Sequence, residues 1–186
     1  MEVKNIIKKV CNLISDEVLL SAIESGTFTE EQQKDINLLV ECVNLTNINI
    51  ATNYVKLIDV VSVDNYSGQI YYQSISQRHI FNILSVKNER NKEVDFEFNG
   101  TGISADKGKI KIKFTYFPED VDFYDEIKNY PMKISERDFV YGVLSEYLYA
   151  KGVFDEAKIW EERFKNEMQS KMRNQKQINM RVSRWT

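Results

Sequence analysis

The chain has 186 residues, a formal net charge of −3 at pH 7, and 42% hydrophobic residues. This length allows one domain, or a small pair, to bury a core without disulfides or a metal. The sequence lacks a secretory signal and any apolar run near the ~20 residues of a membrane span. Cys11 and Cys42 lie within apolar helical patterns, where a thiol packs as a small hydrophobic group. Together these features predict a protein of a reducing, intracellular compartment with no membrane partner.

The first 54 residues have the apolar periodicity of helices. One amphipathic pattern covers residues 3–15. Residues 16–23 either interrupt it or form a second short helix, which ends at Gly26. Thr29 and Gln32 have the spacing of a capping box. A long helix is predicted from there to about Tyr54.

Composition changes near residue 57, where β-branched and aromatic residues begin to alternate with polar ones. Five segments have this pattern and are separated by turn residues: Leu57–Val63, Gln69–Gln73, Ile80–Val86, Val94–Phe98 and Lys109–Tyr116. The last is the clearest, because its lysines and its apolar residues fall on opposite faces of a strand. No Gly/Ser-rich or charge-rich linker flanks this region, which indicates an insertion between helices rather than an independent domain.

An acidic segment and two further helices follow the strands. The segment has five carboxylates within eight residues: Glu119, Asp120, Asp122, Asp125 and Glu126. Such loops are ordinarily solvated, and this one lacks the glycine and ligand order of a calcium loop. Ser135 begins a helix that ends at Lys151-Gly152, and Asp155 caps the next one. Because the loop between them is short, the two helices are predicted to form an antiparallel hairpin.

The end of the chain is basic. Residues 171–186 contain no acidic residue and five positive charges: Lys171, Arg173, Lys176, Arg181 and Arg184. Since the whole chain carries −3, the remainder carries −8. Four apolar residues lie between these charges: Ile178, Met180, Val182 and Trp185. The stretch is either a frayed tail or an arm that becomes ordered on a partner, with the apolar residues as anchors.

The sequence offers no recognisable catalytic or metal-binding motif. His79 is the only histidine, and without a second histidine or paired cysteines it cannot complete an ordinary zinc site. Residues 102–109 depart from a phosphate-binding loop in their spacing and in the strand that follows, and are interpreted as a hairpin turn. No nucleophile elbow is present. We therefore expect that the chain is not an enzyme and binds no cofactor or metal.

These elements predict an α+β fold. A helical bundle, built from the long helix and the C-terminal helical hairpin, comprises residues 1–56 and 132–173. A small antiparallel sheet or sandwich, with the acidic connection, is inserted at residues 57–131. An extended basic C-terminal arm follows at residues 174–186.

From Thr29 onward, this order of elements resembles the head-to-tail adaptor (connector) proteins of tailed bacteriophages. Three stretches carry the resemblance. They are the strand–turn–strand run Gln69–Lys87, the run Lys109–Glu119, and Tyr147–Arg163 together with the Arg-Trp near the chain's end. These motifs are structural rather than catalytic, and the family has no invariant site that could be transferred to this chain.

The resemblance implies a structural virion protein at the neck, assembled in the host cytoplasm. It would form a homo-oligomeric ring, commonly of twelve copies, beneath the portal protein. The other face would receive a tail or tail-hub protein, and double-stranded DNA would pass through without specific binding. The basic arm, residues 171–185, would contact the portal or a neighbouring subunit, and the acidic loop at residues 119–126 would face the channel. Open sheet edges would pair with the next protomer.

Three other functions remain open, one of which, a host-directed small phage protein or a bacterial regulator, predicts neither DNA retention nor binding to tails or portals. A nucleic-acid-binding protein would use the basic arm to neutralise phosphates, and its retention on DNA would weaken steeply with salt. The acidic body and the absence of a helix-turn-helix or RNA-recognition signature disfavour that function. A tail-completion ring would bind tails instead of portals.

Overall fold

The computed structural model describes residues 1–128, 130 and 134–173; the side chain of Arg173 lies outside this description. The described residues form six helices and two small antiparallel sheets, which confirms the predicted α+β class. The chain divides into a helical unit, Met1–Tyr54 with the chain from Asp120 onward, and a β unit, Val55–Glu119. The acidic stretch from Asp120 is thus part of the helical unit, whereas its sequence position had suggested that it belongs with the strands.

Three helices open the helical unit: α1 at Val3–Leu13, α2 at Glu17–Ser25 and α3 at Glu30–Asn53. Gly26 ends α2 in the left-handed conformation, with φ of 73°. At the start of α3 the predicted capping box is present, because the side chains of Thr29 and Gln32 each accept the other's backbone N–H. The apolar stripes of these helices are buried, as their periodicity predicts.

The β unit contains six strands and a single helical turn. They are β1 Ile58–Asn65, β2 Gln69–Tyr71, α4 Tyr72–Ile75, β3 Ile80–Asn88, β4 Phe96–Phe98, β5 Gly102–Ala105 and β6 Gly108–Tyr116. One sheet has the order β1-β6-β3 and the other β2-β5-β4, with every neighbouring pair antiparallel. Residues of both sheets share one apolar core, which includes Ile70, Ile103, Ile112 and Phe114.

The structure corrects two local predictions in this unit. The predicted strand at residues 69–73 stops at Tyr71, where α4 begins. Residues 102–109 are not a hairpin turn, because β5 and β6 pair with strands of different sheets. The chain changes sheet there, beside the buried Asn65, whose Nδ2 donates to the carbonyl oxygens of Ala105 and Asp106 at 3.0 Å each.

The helical unit is completed by α5, Glu136–Ala150, and α6, Phe154–Arg173. Gly152 joins them with φ of 79°, as predicted. The second helix begins one residue earlier than expected, so Asp155 lies in its first turn and is not its cap. At Gly142, α5 approaches α3 so closely that an added Cβ would lie 2.5 Å from Thr46 Cγ2. In the described ranges, no helix is both long and apolar enough to cross a bilayer.

Candidate functional site

Only part of the predicted basic arm is described by the structure. Lys171 lies in α6, within the range 132–173 that the sequence analysis assigned to the helical bundle, and the backbone of Arg173 ends the same helix. Outside the described residues lie Lys176, Ile178, Met180, Arg181, Val182, Arg184 and Trp185. The assignment of these residues to a portal or neighbour contact therefore stays a prediction.

Lys171 forms an ion pair within the chain, and its assignment to a partner contact stays a prediction. Its Nζ forms an ion pair with Oδ2 of Asp138, a side chain with no exposed surface. The same carboxylate oxygen accepts hydrogen bonds from the backbone N–H of Ser135, at 2.7 Å, and from its hydroxyl, at 2.9 Å. A buried carboxylate requires such partners. The lysine therefore anchors the end of α6 to the start of α5.

The acidic segment forms a fixed loop with its carboxylates exposed, which we call the acidic loop (residues 119–126). Two apolar side chains, Phe123 and Ile127, are buried and fix the loop to the helical unit. The side chain of Asn44 donates to the Val121 carbonyl at 3.1 Å and accepts from its N–H at 2.9 Å. At the other end, the Val3 N–H donates to the Asp125 carbonyl at 3.0 Å and the Ile127 N–H donates to the Met1 carbonyl at 2.8 Å.

Most carboxylates of the acidic loop have no cation beside them. Glu119 pairs with Arg78 at 3.3 Å and Glu126 with Lys128 at 3.6 Å. Within the described residues, Asp120, Asp122 and Asp125 form no ion pair within 4 Å. Their negative charge is therefore available to a partner, and the proposed position along a DNA channel stays a prediction.

A second charged surface emerges in the β unit, on the side of the sheet opposite the core. Lys109, Lys111 and Lys113 alternate on β6 with the buried Ile110 and Ile112. Lys87 on β3 lies in register with Lys111. We call these four lysines the lysine face. None of them is within 4 Å of a carboxylate among the described residues.

Three residues of the lysine face, Lys87, Lys111 and Lys113, line a shallow depression of about 390 Å³, together with Val60, Leu84, Ser85 and Glu93. The side chains of Val60 and Leu84 are 56% and 36% exposed, although both lie on strands. The alternation of these lysines with apolar residues is visible in the sequence, but by itself it assigned the lysines no function. The partner strands that supply the apolar floor could not be assigned without the register.

Both cysteine thiols are unsuited to catalysis. Burial raises the pKa of Cys11 to about 12, with a further contribution from the Asp16 carboxylate. Burial also raises the pKa of Cys42 to about 12, together with the charges of Glu146 and Glu41. Since the thiolate is the reactive form, both groups are inert near neutral pH. In the part of the chain that the structure describes, no cluster of three His, Cys, Asp or Glu side chains could hold a metal ion.

No protein-family model matches this sequence, and no curated protein matches it significantly.

Proposed function

We propose that this chain is a structural virion protein, a head-to-tail adaptor that forms a ring beneath the portal of a tailed bacteriophage and connects it to the tail. The sequence resemblance motivates this function. Residues Gln69–Lys87 comprise β2, α4 and all of β3 except its last residue, while Lys109–Glu119 contain all of β6 except its first residue. The third stretch, Tyr147–Arg163, spans the turn between α5 and α6.

The observation that carries the proposal is the exposure of apolar residues on the edge strands of both sheets. β1, β3, β2 and β4 each have a partner strand on one side only among the described residues. Side chains on them are about half exposed: Ile58 47%, Val60 56%, Tyr71 58%, Phe81 47% and Phe98 58%. An open edge with apolar side chains is a template for another chain. A subunit that assembles with copies of itself would cover these edges.

The basic arm is the proposed contact with the portal or with a neighbouring subunit. Because Lys171 pairs with Asp138 inside the helical unit, the segment available to a partner begins after Arg173. It would bind through four apolar anchors: Ile178, Met180, Val182 and Trp185. A truncation that tests this role should remove residues 174–186 and leave Lys171 in place.

Electron microscopy of lysates from a phage with this gene deleted tests the function. If the chain is the adaptor, the lysates contain heads that are packed or have leaked DNA, separate from tails. Complementation by the full chain restores virions, and complementation by the chain lacking residues 174–186 does not. Intact tailed virions without the gene would contradict the proposal.

A further inference from the structure

We propose that the lysine face of one copy binds the acidic loop of a second copy, with Tyr124 seated in the depression between Val60 and Leu84. This inference deepens the proposed function and rests on it, because it names the contact that would join neighbouring subunits of the ring. Both surfaces belong to described residues. The partner is a second copy of this chain.

The lysine face calls for an anionic partner that carries several charges. Alternate residues of a strand are about 6.7 Å apart. The three lysines of β6 therefore form a row about 13 Å long, and Lys87 widens this row at its centre. Since these ammonium groups have no carboxylate within 4 Å in the described chain, a partner would meet them without first displacing an internal ion pair.

The acidic loop presents side chains of the opposite charge. Residues 122–125 form a turn that is closed by a hydrogen bond from the Asp125 N–H to the Asp122 carbonyl at 3.0 Å. Asp120, Asp122 and Tyr124 are exposed, and Phe123 is buried. Tyr124 is 72% exposed although it is a large aromatic residue. Its ring is held by an edge contact with Phe123 at 4.9 Å. The loop is therefore preorganised, which lowers the entropy cost of binding.

The two surfaces are complementary in polarity as well as in charge. The acidic loop presents one aromatic side chain beside several carboxylates. The depression at the lysine face presents two apolar side chains, Val60 and Leu84, beside the ammonium groups of three lysines and the single carboxylate of Glu93. Aromatic anchors that fill apolar pockets within a charged rim are typical of the residues that dominate binding energy. A phosphate backbone would leave this apolar floor unused, and the depression contains no aromatic residue on which a base could stack.

A contact of this kind is head-to-tail. The acidic loop and the lysine face are different surfaces, so each copy that donates a loop keeps a free lysine face. Such heterologous contacts propagate into closed rings or open filaments, whereas a self-complementary contact stops at a dimer. The proposed contact therefore has the symmetry that a ring requires.

Charge reversal tests the contact in the full-length chain, with sedimentation velocity at several concentrations as the readout. Lys111→Glu/Lys113→Glu reverses the lysine face, and Asp120→Lys/Asp122→Lys reverses the acidic loop. Lys34→Glu/Lys158→Glu is a matched control, because both lysines are exposed on helices and have no ion pair among the described residues. Circular dichroism checks that each variant is folded.

We expect the wild type and the control to associate with increasing concentration, and each reversed variant to associate at least tenfold more weakly. An equimolar mixture of the two reversed variants should regain association, because every new contact then joins opposite charges. Tyr124→Ala should weaken association without changing its salt dependence. Wild-type association should itself weaken at high salt, since exposed charges are screened.

Three results would overturn the proposed contact. The wild type could stay monomeric at all concentrations, or both charge-reversed variants could associate as strongly as the wild type. The third is an equimolar mixture of the two reversed variants that does not regain association. A single-stranded oligonucleotide should bind the wild type no better than Lys111→Glu/Lys113→Glu. If it binds the wild type alone, the lysine face recognises phosphates and the inference is wrong. Rings that both reversed variants still form on isolated portals would overturn this contact and leave the adaptor function standing.

Discussion

Lys171, in the last turn of α6, forms an ion pair with Asp138, in the first turn of α5, and thereby closes the open end of the helical hairpin. The Asp138 side chain has no exposed surface, while that of Lys171 is 24% exposed. The pair also fixes the point from which the chain continues into residues 174–186. Lys171, which the sequence groups with the basic residues 171–186, is therefore part of the packing of the helical unit.

Removal of the lysine should destabilise the helical unit strongly. Lys171→Met leaves a buried carboxylate with Ser135 as its remaining partner, and we expect a loss of about 3 kcal/mol in the free energy of unfolding. Asp138→Asn keeps an oxygen acceptor for Ser135 and should cost about 1 kcal/mol. Urea denaturation measures both values.

The double variant distinguishes a true coupling from two independent effects. Lys171→Met/Asp138→Asn should cost clearly less than the sum of the single changes, because no charge is left buried and unpaired. Lys8→Met is the control, since it removes a partly exposed pair with Glu24 at 3.8 Å and should cost below about 0.5 kcal/mol. Equal losses for Lys8→Met and Lys171→Met would contradict the anchoring role.

The close approach of α3 and α5 makes a second prediction. Alanine is favoured over glycine within a helix by about 1 kcal/mol. In Gly142→Ala, however, the new Cβ would meet Thr46 Cγ2 at 2.5 Å, and overpacking of this kind costs about 1–3 kcal/mol. Thr46→Ala/Gly142→Ala removes the obstructing atoms and should recover most of the loss. A stability gain for Gly142→Ala alone in thermal or urea unfolding would refute the tight crossing.

Asn44 should control the order of the acidic loop. Its side chain makes both hydrogen bonds to the Val121 backbone, and Asn44→Ala removes them. We expect faster amide hydrogen exchange at residues 121–127 and weaker self-association, because the loop is then less preorganised. Gln33→Ala, which removes an exposed side-chain bond to Asn37, is the control. If amide hydrogen exchange in the acidic loop is unchanged in Asn44→Ala, contacts other than those of Asn44 hold the loop and the prediction is wrong.

The burial of the two thiols predicts slow reaction with thiol reagents and a loss of stability at alkaline pH. Since burial raises the pKa of Cys11 and Cys42 to about 12 from an ordinary value of 9.0, a maleimide should label them slowly in the native protein and rapidly in urea. Between pH 9 and about 12 the unfolded chain ionises its thiols while the folded chain does not. Stability is thus fully present below pH 9 and falls as pH rises through this window. In Cys11→Ala/Cys42→Ala the free energy of unfolding should fall less steeply over this pH range. An equally steep fall would show that the thiols are not its cause.

Local signals in the sequence were sufficient to predict most of the helices and strands. The periodicity of α1 and α3, the capping box at Thr29 and the glycine at residue 152 each depend on neighbours within a few residues. The lysine alternation identified β6 for the same reason. β5 was missed because Gly102–Ala105 is a four-residue strand between turn residues, and only its pairing with β2 and β4 makes it a strand.

The candidate surfaces were harder to predict, because they depend on contacts between distant residues. Lys171 begins a stretch whose composition is that of a basic arm. Its structural role is visible only from its ion pair with Asp138, which lies 33 positions earlier in the sequence. The floor of the depression combines Val60 of β1 with Leu84 of β3, two strands whose common neighbour is β6. A sequence shows that Tyr124 lies among carboxylates, but not that Phe123 is buried and Tyr124 exposed.

Cryo-electron microscopy of the purified chain mixed with isolated portal rings tests the adaptor function most directly. We predict a closed ring of one stoichiometry on one face of the portal, lost when residues 174–186 are removed. Bare portals beside monomeric chains would contradict the adaptor function.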